Sequence, residues 1–312
     1  MWLGLDIGDT KCAVLAGELT SSGMVVCEKK VIATAEAPDP RQMLPLLIRA
    51  GKEICPNPKA VGVSCGGPLD AERGVILSPP NLPGWDEIPI CRMLREAFDC
   101  PAVLCNDADA CALAEWKFGA GAGCRNLVFL TFGTGLGAGL ILNGALYPGS
   151  CGMAGEIGHV RLRKTGPIGY GKPGSAEGFC SGGGIAQQLH AAGIRDRFPT
   201  AAAAAAAAPA GEPVAQAVFY KCGEHLGEIR SLLIDLLNPE KIVIGSIFAR
   251  CEDLLREPMQ QIIDREALSR SARACSVVPA ALGETLGDVA ALAVAADPAA
   301  RQNFSMSRRK EK

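Results

Sequence analysis

The cysteines of this sequence are nowhere gathered together. Fourteen are present, yet no two stand in a C-x-C or C-x-x-C spacing. That argues against a disulfide framework or a cysteine-rich metal site and for buried free thiols, since most lie in apolar stretches, as Cys12, Cys27, Cys65, Cys105 and Cys111 do. Positive charge is not in excess either. A formal net charge of -2 supplies no basic field for nucleic acid. Long apolar runs are missing: Asn126–Leu142 is broken by glycines and does not suit a bilayer span. Met1 is followed almost at once by Leu3-Gly4-Leu5-Asp6, with no basic stretch, apolar stretch or cleavage site, so a cytoplasmic protein is expected.

What is present suits a globular protein. The 312 residues are 48% apolar and 21% charged, enough for two domains with real cores. The chain opens as strand, tight turn, strand: Leu3, Leu5 and Ile7 alternate, Asp6-Ile7-Gly8-Asp9-Thr10 turns, and Cys12–Leu15 resumes. Gly23–Thr34 predicts a third strand, Pro40–Ile54 a helix, and Ala60–Cys65 a buried strand ending at Gly66-Gly67-Pro68. Pro101–Cys105 predicts another buried strand. It runs through Asn106-Asp107-Ala108-Asp109 into a helix over Ala110–Phe118, with Asn or Asp as the cap.

The layout then restarts. Leu127–Phe132 and Gly137–Leu142 read as strands around Gly133-Thr134-Gly135, followed by a turn at Asn143-Gly144. Pro213–Leu237 predicts a long helix stopped by Asn238-Pro239, Lys241–Gly245 a buried strand, and Leu286–Ala296 a terminal helix. The alanine run Ala201–Ala208 has no amphipathic face and is expected to be an exposed linker or short helix.

A phosphate tail is held by backbone N–H groups that side chains must not obstruct. Glycine permits the approach, and threonine adds a hydroxyl. Asp6–Lys11 and Gly133–Gly137 both carry that chemistry, and Asp6 stands where a metal-bound water could be held. Either segment alone could be an ordinary hairpin turn; two in matching positions favour the phosphate reading. Phosphoryl transfer to an alcohol also needs a base, and Asp107 follows a buried strand, with Asn106 beside it able to donate and accept hydrogen bonds. Alone, that pair would read as a plain helix cap.

Taken together, these segments resemble the ROK family, which groups repressors, uncharacterised frames and sugar kinases on the actin-like ATPase fold. The matching segments are Asp6–Lys11, Gly62–Pro68, Pro80–Trp85, Asn106–Ala110 with Ala114-Glu115 and Gly119-Ala120-Gly121, Thr131–His159, Asn238–Gly245 and Leu286-Gly287-Asp288. They span nearly the whole chain.

The resemblance implies two α/β domains of actin-like ATPase (ribonuclease H-like) type with a cleft between them. An N-terminal domain is expected over 1–116, joined by a helix over 286–300, with a larger domain over 117–285 and a flexible tail over 301–312. It implies an ATP-dependent kinase acting on a hexose or N-acetylhexosamine, with Mg2+ and a homodimer. Asp107 resembles the general base. Gly67, Asn81, Asn106, Glu156, His159 and Glu177 resemble sugar ligands, with a core histidine as the alternative for His159. Asp6, Gly8, Thr10, Lys11, Thr134, Gly135 and Gly245 resemble the nucleotide and magnesium side, Asp6 through a metal-bound water. A sugar-binding regulator without catalysis is the alternative. A repressor of the same family would carry a winged-helix segment ahead of Asp6, for which this sequence has no room.

One stretch departs from the family. Many members bind zinc through a cysteine-rich loop after the Gly-His element. Here Ile168, Tyr170 and Ser175 stand at the thiolate positions, and of four tetrahedral ligands only His159 remains. The run Gly245-Ser246-Ile247 also lacks further glycines, which suggests a tighter nucleotide pocket. Protein purified without added metal should therefore carry far less than one equivalent of zinc by elemental analysis. Near-stoichiometric zinc would contradict this reading.

Overall fold

The computed structural model describes residues 1–194 and 196–298. The tail expected over 301–312 lies outside the described residues, and the helix expected to reach 300 ends at Ala296, where Asp297 takes an extended backbone. In chain order the first elements are β1 (Trp2–Ile7), β2 (Lys11–Thr20), β3 (Gly23–Ala33), α1 (Pro40–Ile54), β4 (Val61–Cys65), the short pair β5 (Leu69–Asp70) and β6 (Val75–Ile76), α2 (Ile90–Phe98), β7 (Ala102–Asn106) and α3 (Asp107–Phe118). Local chemistry sets their ends. Asp39 caps α1 by accepting the Arg41 N–H at 2.8 Å, with Pro40 in the first turn.

The helix expected over Ala110–Phe118 begins three residues earlier. Asn106 is its cap, accepting the Ala108 N–H at 2.9 Å, so Asp107 is the first helical residue rather than part of the lead-in. An acid there is favoured by the positive helix N-terminus, which extends the helix back to the strand.

Next come β8 (Leu127–Phe132), β9 (Leu136–Leu142), β10 (Ala145–Leu146), β11 (Ile168–Gly169), β12 (Lys172–Pro173), α4 (Ala176–Phe179), α5 (Gly182–Ala191), α6 (Ala201–Ala207), α7 (Pro213–Leu237), β13 (Lys241–Ile244), α8 (Ile247–Glu266), α9 (Ser269–Ala274), β14 (Ser276–Pro279) and α10 (Leu286–Ala296). These elements make two compact units. One comprises Met1–Ala122, Pro148–Gly152 and the chain from Glu284 onward. The other comprises Gly123–Tyr147 and Met153–Gly283.

The sheets of the two units share one design. The first has strand order β3-β2-β1-β4-β7 and the second β10-β9-β8-β13-β14. In each, the opening strand pairs antiparallel with the next strand and parallel with one from later in the chain, which pairs parallel with the outermost strand.

The first core is built on Leu3, Leu5, Val61, Val63 and Leu104 with Met43, Leu47 and Leu94 from the helices. Helix α10 closes it. Its run from Val289 to Ala295 is entirely buried, as expected of a helix that is apolar all round. Small residues let it approach closely: a Cβ on Gly62 would lie 2.3 Å from the Ala291 carbonyl, and one on Gly17 would lie 2.5 Å from Leu292 Cδ1. In the second unit α7 and α8 meet the same way, Gly223 against Pro258 and Gly227 against Met259.

Two expectations need correcting. The alanine run forms α6, capped by Thr200, and it does bury a stripe: Ala204 and Ala208 have no exposed surface and belong to the second core. A helix of methyl groups needs no amphipathy to pack closely at i, i+4. All fourteen cysteines are free thiols, but only seven are buried, and Cys27 is exposed, because β3 is an edge strand whose alternate side chains face water. Among the described residues no helix is long and apolar enough to cross a membrane.

The close seating of α10 gives a prediction. Gly62→Ala forces a methyl into the α10 backbone, an overpacking expected to cost about 1–3 kcal/mol. A thermal melt should fall by several degrees, and an unchanged melting temperature would refute the packing described.

Candidate active site

In the first unit three parallel strands end level. Ile7 pairs with Cys65, and Cys65 pairs with Asn106. Asp6 at the end of β1, Gly66-Gly67 after β4, and Asn106-Asp107 at the end of β7 therefore share the carboxyl edge of the sheet, the edge at which open α/β sheets bind ligands. Asn106 spends Oδ1 on the helix cap and holds Nδ2 beside Gly67, 3.4 Å from where a Cβ would stand. Asp107 is exposed, and its Oδ1 accepts the Ala108 N–H at 2.8 Å.

Enough protein surrounds the Asp107 carboxylate for desolvation to raise its pKa, against the lowering pull of the Ala108 N–H. Asp6 is pushed up to about 6, first by burial and then by the charges of Asp107 and Asp288, with Lys11 and Lys29 opposing. Sequence reasoning assigned no role to Asp288 or Lys29. Lys29 Nζ donates to both Asp288 oxygens at 2.7 Å, and a Cβ on Gly287 would lie 3.6 Å from Asp6 Oδ2. The Asp that follows Leu286-Gly287 at a helix start was the available signal for Asp288.

The first hairpin is tightly closed. The Gly8 N–H donates to the Lys11 carbonyl at 3.1 Å, and the Gly8 carbonyl accepts the Thr34 hydroxyl at 2.8 Å. Thr10 and Lys11 are exposed on it, the Thr10 hydroxyl donating to Asp9 at 3.1 Å. Asn81 is exposed in the Pro79–Leu82 turn.

In the second unit Thr134 and Gly135 form the turn between β8 and β9, where the Gly133 N–H donates to the Gly135 carbonyl at 3.1 Å. The start of α5 braces this turn: Gly182 N–H donates to the Gly133 carbonyl and Gly183 N–H to that of Thr134. Gly245 follows β13 with its N–H on the Leu130 carbonyl at 3.0 Å, and Ser246 comes next with φ 53°. Its hydroxyl lies 3.8 Å from where a Gly133 Cβ would stand.

Glu156 and His159 flank the turn Ile157–His159, and both are exposed, so His159 is not a core histidine. Glu177 Oε2 accepts the Leu136 N–H at 3.1 Å, a contact that sequence reasoning did not foresee.

The loop after His159 is held by the chain itself. Lys172 Nζ donates to the His159 carbonyl at 2.7 Å, and the Tyr170 ring meets the His159 ring edge-on at 5.6 Å. Gln187 brackets Ile168, accepting its N–H at 2.9 Å and donating to its carbonyl at 2.8 Å. Ser175 is buried and caps α4 by accepting the Gly178 N–H. Arg163 grips the Glu228 carboxylate with two nitrogens. Among the described residues no three His, Cys, Asp or Glu side chains group so as to hold a metal ion by themselves.

Comparison with known proteins gives a consistent picture. The family model described as "ROK family" matches residues 2–297. A glucokinase of Halalkalibacterium halodurans is 30% identical over 306 residues, 92% of each chain. The crystal structure of a ROK hexokinase from Thermus thermophilus superposes with a TM-score of 0.81 at 28% identity, over 100% of this chain and 99% of that one. A ROK family glucokinase from Streptomyces griseus, solved with glucose and AMPPNP, gives 0.76 at 27% identity, over 94% and 98%. The fold is that of these kinases, an α/β fold of actin-like ATPase type.

The raised Asp6 carboxyl makes a pH prediction. In the unfolded chain it loses its proton near about pH 4, but in the folded protein only at about 6. Across that window the folded state holds the extra proton, so stability falls as pH rises. Asp6→Asn removes the penalty. Without divalent cations it should melt above the wild type at about pH 7.5, the gap closing toward pH 4. A gap that is constant with pH would contradict this assignment.

Proposed function

The chain belongs to the ROK family, and from that premise we propose that it transfers the γ-phosphoryl group of ATP to a hydroxyl of a hexose or N-acetylhexosamine, with Asp107 as general base. The observation that carries the reading is Asp107 itself: a solvent-reachable carboxylate of raised pKa at the carboxyl edge of three parallel strands, with Asn106 beside it. A carboxylate that resists ionisation is a stronger base toward an alcohol. The sugar kinases among its relatives support the reaction class, and the glucose and AMPPNP of the Streptomyces griseus crystal support an aldohexose acceptor and an ATP donor.

In this reading Asp107 takes the proton of the sugar hydroxyl as its oxygen bonds to the γ-phosphorus. The bond to the β-phosphate oxygen breaks, and ADP leaves. Asn106, Asn81, Gly67, Glu156, His159 and Glu177 are the groups assigned to sugar hydroxyls. A site of placed polar groups of this kind rejects sugars that leave them unpaired. Gly8, Thr10 and Lys11 on one hairpin, Thr134 and Gly135 on the other, serve the phosphates, and Gly245 the nucleoside. Gly8 contributes closeness rather than an N–H, since its own is bonded to Lys11. Mg2+ fits beside Asp6: the donors are hard oxygens, and the crowding of Asp6 by Asp107 and Asp288 is the surplus negative charge that a divalent cation relieves. Bound there, it would neutralise charge on the phosphates.

The test is a coupled ADP assay with Mg-ATP over a panel of hexoses and N-acetylhexosamines. At least one sugar should turn over, and Asp107→Asn should lower kcat by about 10²–10⁴-fold with little change in the sugar KM. Full turnover by Asp107→Asn would remove Asp107 from the role. Sugar and nucleotide binding with no ADP formed would leave a non-catalytic regulator instead.

A further inference from the structure

Several segments of the second unit converge on one side chain. Glu177 stands on α4, and its Oε2 accepts the backbone N–H of Leu136, the residue that leads out of the Gly133-Thr134-Gly135 turn, at 3.1 Å. The neighbouring residues are cut back to seat it. A Cβ on Gly135 would lie 2.7 Å from the same oxygen. On Gly158, in the turn that ends at His159, a Cβ would lie 3.3 Å from the Glu177 Cβ and 2.1 Å from the Leu136 carbonyl. On Gly169, in the loop beyond, it would lie 2.7 Å from the Glu177 Cβ. Glycines from three segments thus surround one side chain, Gly135 at its carboxylate and Gly158 and Gly169 at its Cβ, a use of glycine where close approach is required.

We infer that Glu177 is a positioning residue for the nucleotide-side hairpin, joining the segments that carry the sugar-side residues to the backbone that holds phosphate. The inference rests on the reading of Gly133–Gly137 as a phosphate hairpin given above. A hydrogen bond to a carboxylate is stronger than one to a neutral acceptor. Fixing the Leu136 N–H fixes the peptide that follows Gly135, and with it the direction in which the turn presents its N–H groups. From within the turn that peptide is held at its carbonyl, which accepts the Gly133 N–H at 3.1 Å, and Glu177 holds its N–H end. One carboxylate oxygen is engaged with the hairpin, and the other is left for a hydroxyl donor. The same side chain therefore answers to both substrates, and any coupling between them that runs through it is reciprocal.

The experiment measures binding of Mg-AMPPNP by calorimetry with no sugar present, where a residue serving only the sugar has no effect. Glu177→Gln keeps an acceptor at the same reach and should hold affinity within about twofold, whereas Glu177→Ala should lose about tenfold. Glu177→Asp keeps the charge but falls one methylene short of Leu136, and it should lose about as much as Glu177→Ala. It also serves as the folded comparison if the alanine variant does not melt cooperatively. Unchanged nucleotide affinity in Glu177→Asp, with the sugar KM raised, would overturn the inference while leaving the kinase reading intact. Failure of the wild type to bind Mg-AMPPNP would instead overturn the reading of the hairpin, and this inference with it.

Discussion

Parallel strands that end level leave their last residues side by side, and in the first unit that constraint assembles the chemistry. Ile7, Cys65 and Asn106 lie in one row across β1, β4 and β7. Residues about 40 to 60 positions apart in the chain therefore meet without any loop having to reach. Burial chiefly raises the Asp6 pKa, and the nearby Asp107 charge, brought close by the row, adds to it. The second unit repeats the strand order, but its carboxyl edge carries a glycine turn and Gly245 in place of paired acids. One scaffold thus supplies charge in one copy and bare backbone in the other, as expected when function resides in side chains placed on a common fold.

Legibility in the sequence followed the range of the signal. The bounds of α1 and α7 agree with expectation because their signals are adjacent residues: Asp39-Pro40 at one start, Pro213 at the other, and Asn238 in the left-handed region with φ 44° at the end. Both hairpins were readable for the same reason. The start of α3 was displaced because two neighbouring residues, Asn106 and Asp107, could each cap, and only the geometry separates the cap from the first helical residue. Lys29 and Asp288 stand 259 residues apart, and Leu136 and Glu177 stand 41 apart. No local pattern encodes such pairs. The fold brings them together, and composition is silent about it.

The loop after His159 is held by contacts within the chain. Where thiolates were expected to be missing, Ser175 became a buried helix cap, Tyr170 a partner for the His159 ring, and the Ile168 backbone a target for Gln187. Each contact is individually modest, and neutral hydrogen bonds of this kind contribute about 0.5–1.5 kcal/mol apiece. They are distributed over several elements, so the loop has many partners within the chain itself.

Helix α10 has a consequence for how the protein is made. It seals a sheet whose other strands all lie before residue 107, while the whole second unit is encoded between Phe118 and Leu286. On a ribosome working at ~5–20 residues per second, the first sheet waits on the order of ten seconds or more for the helix that covers it. During that wait the glycine-lined face around Gly4 and Gly62 is open to solvent. The second unit, whose core lies wholly within it, is complete before α10 emerges, whereas the half of the protein that is begun first is finished last.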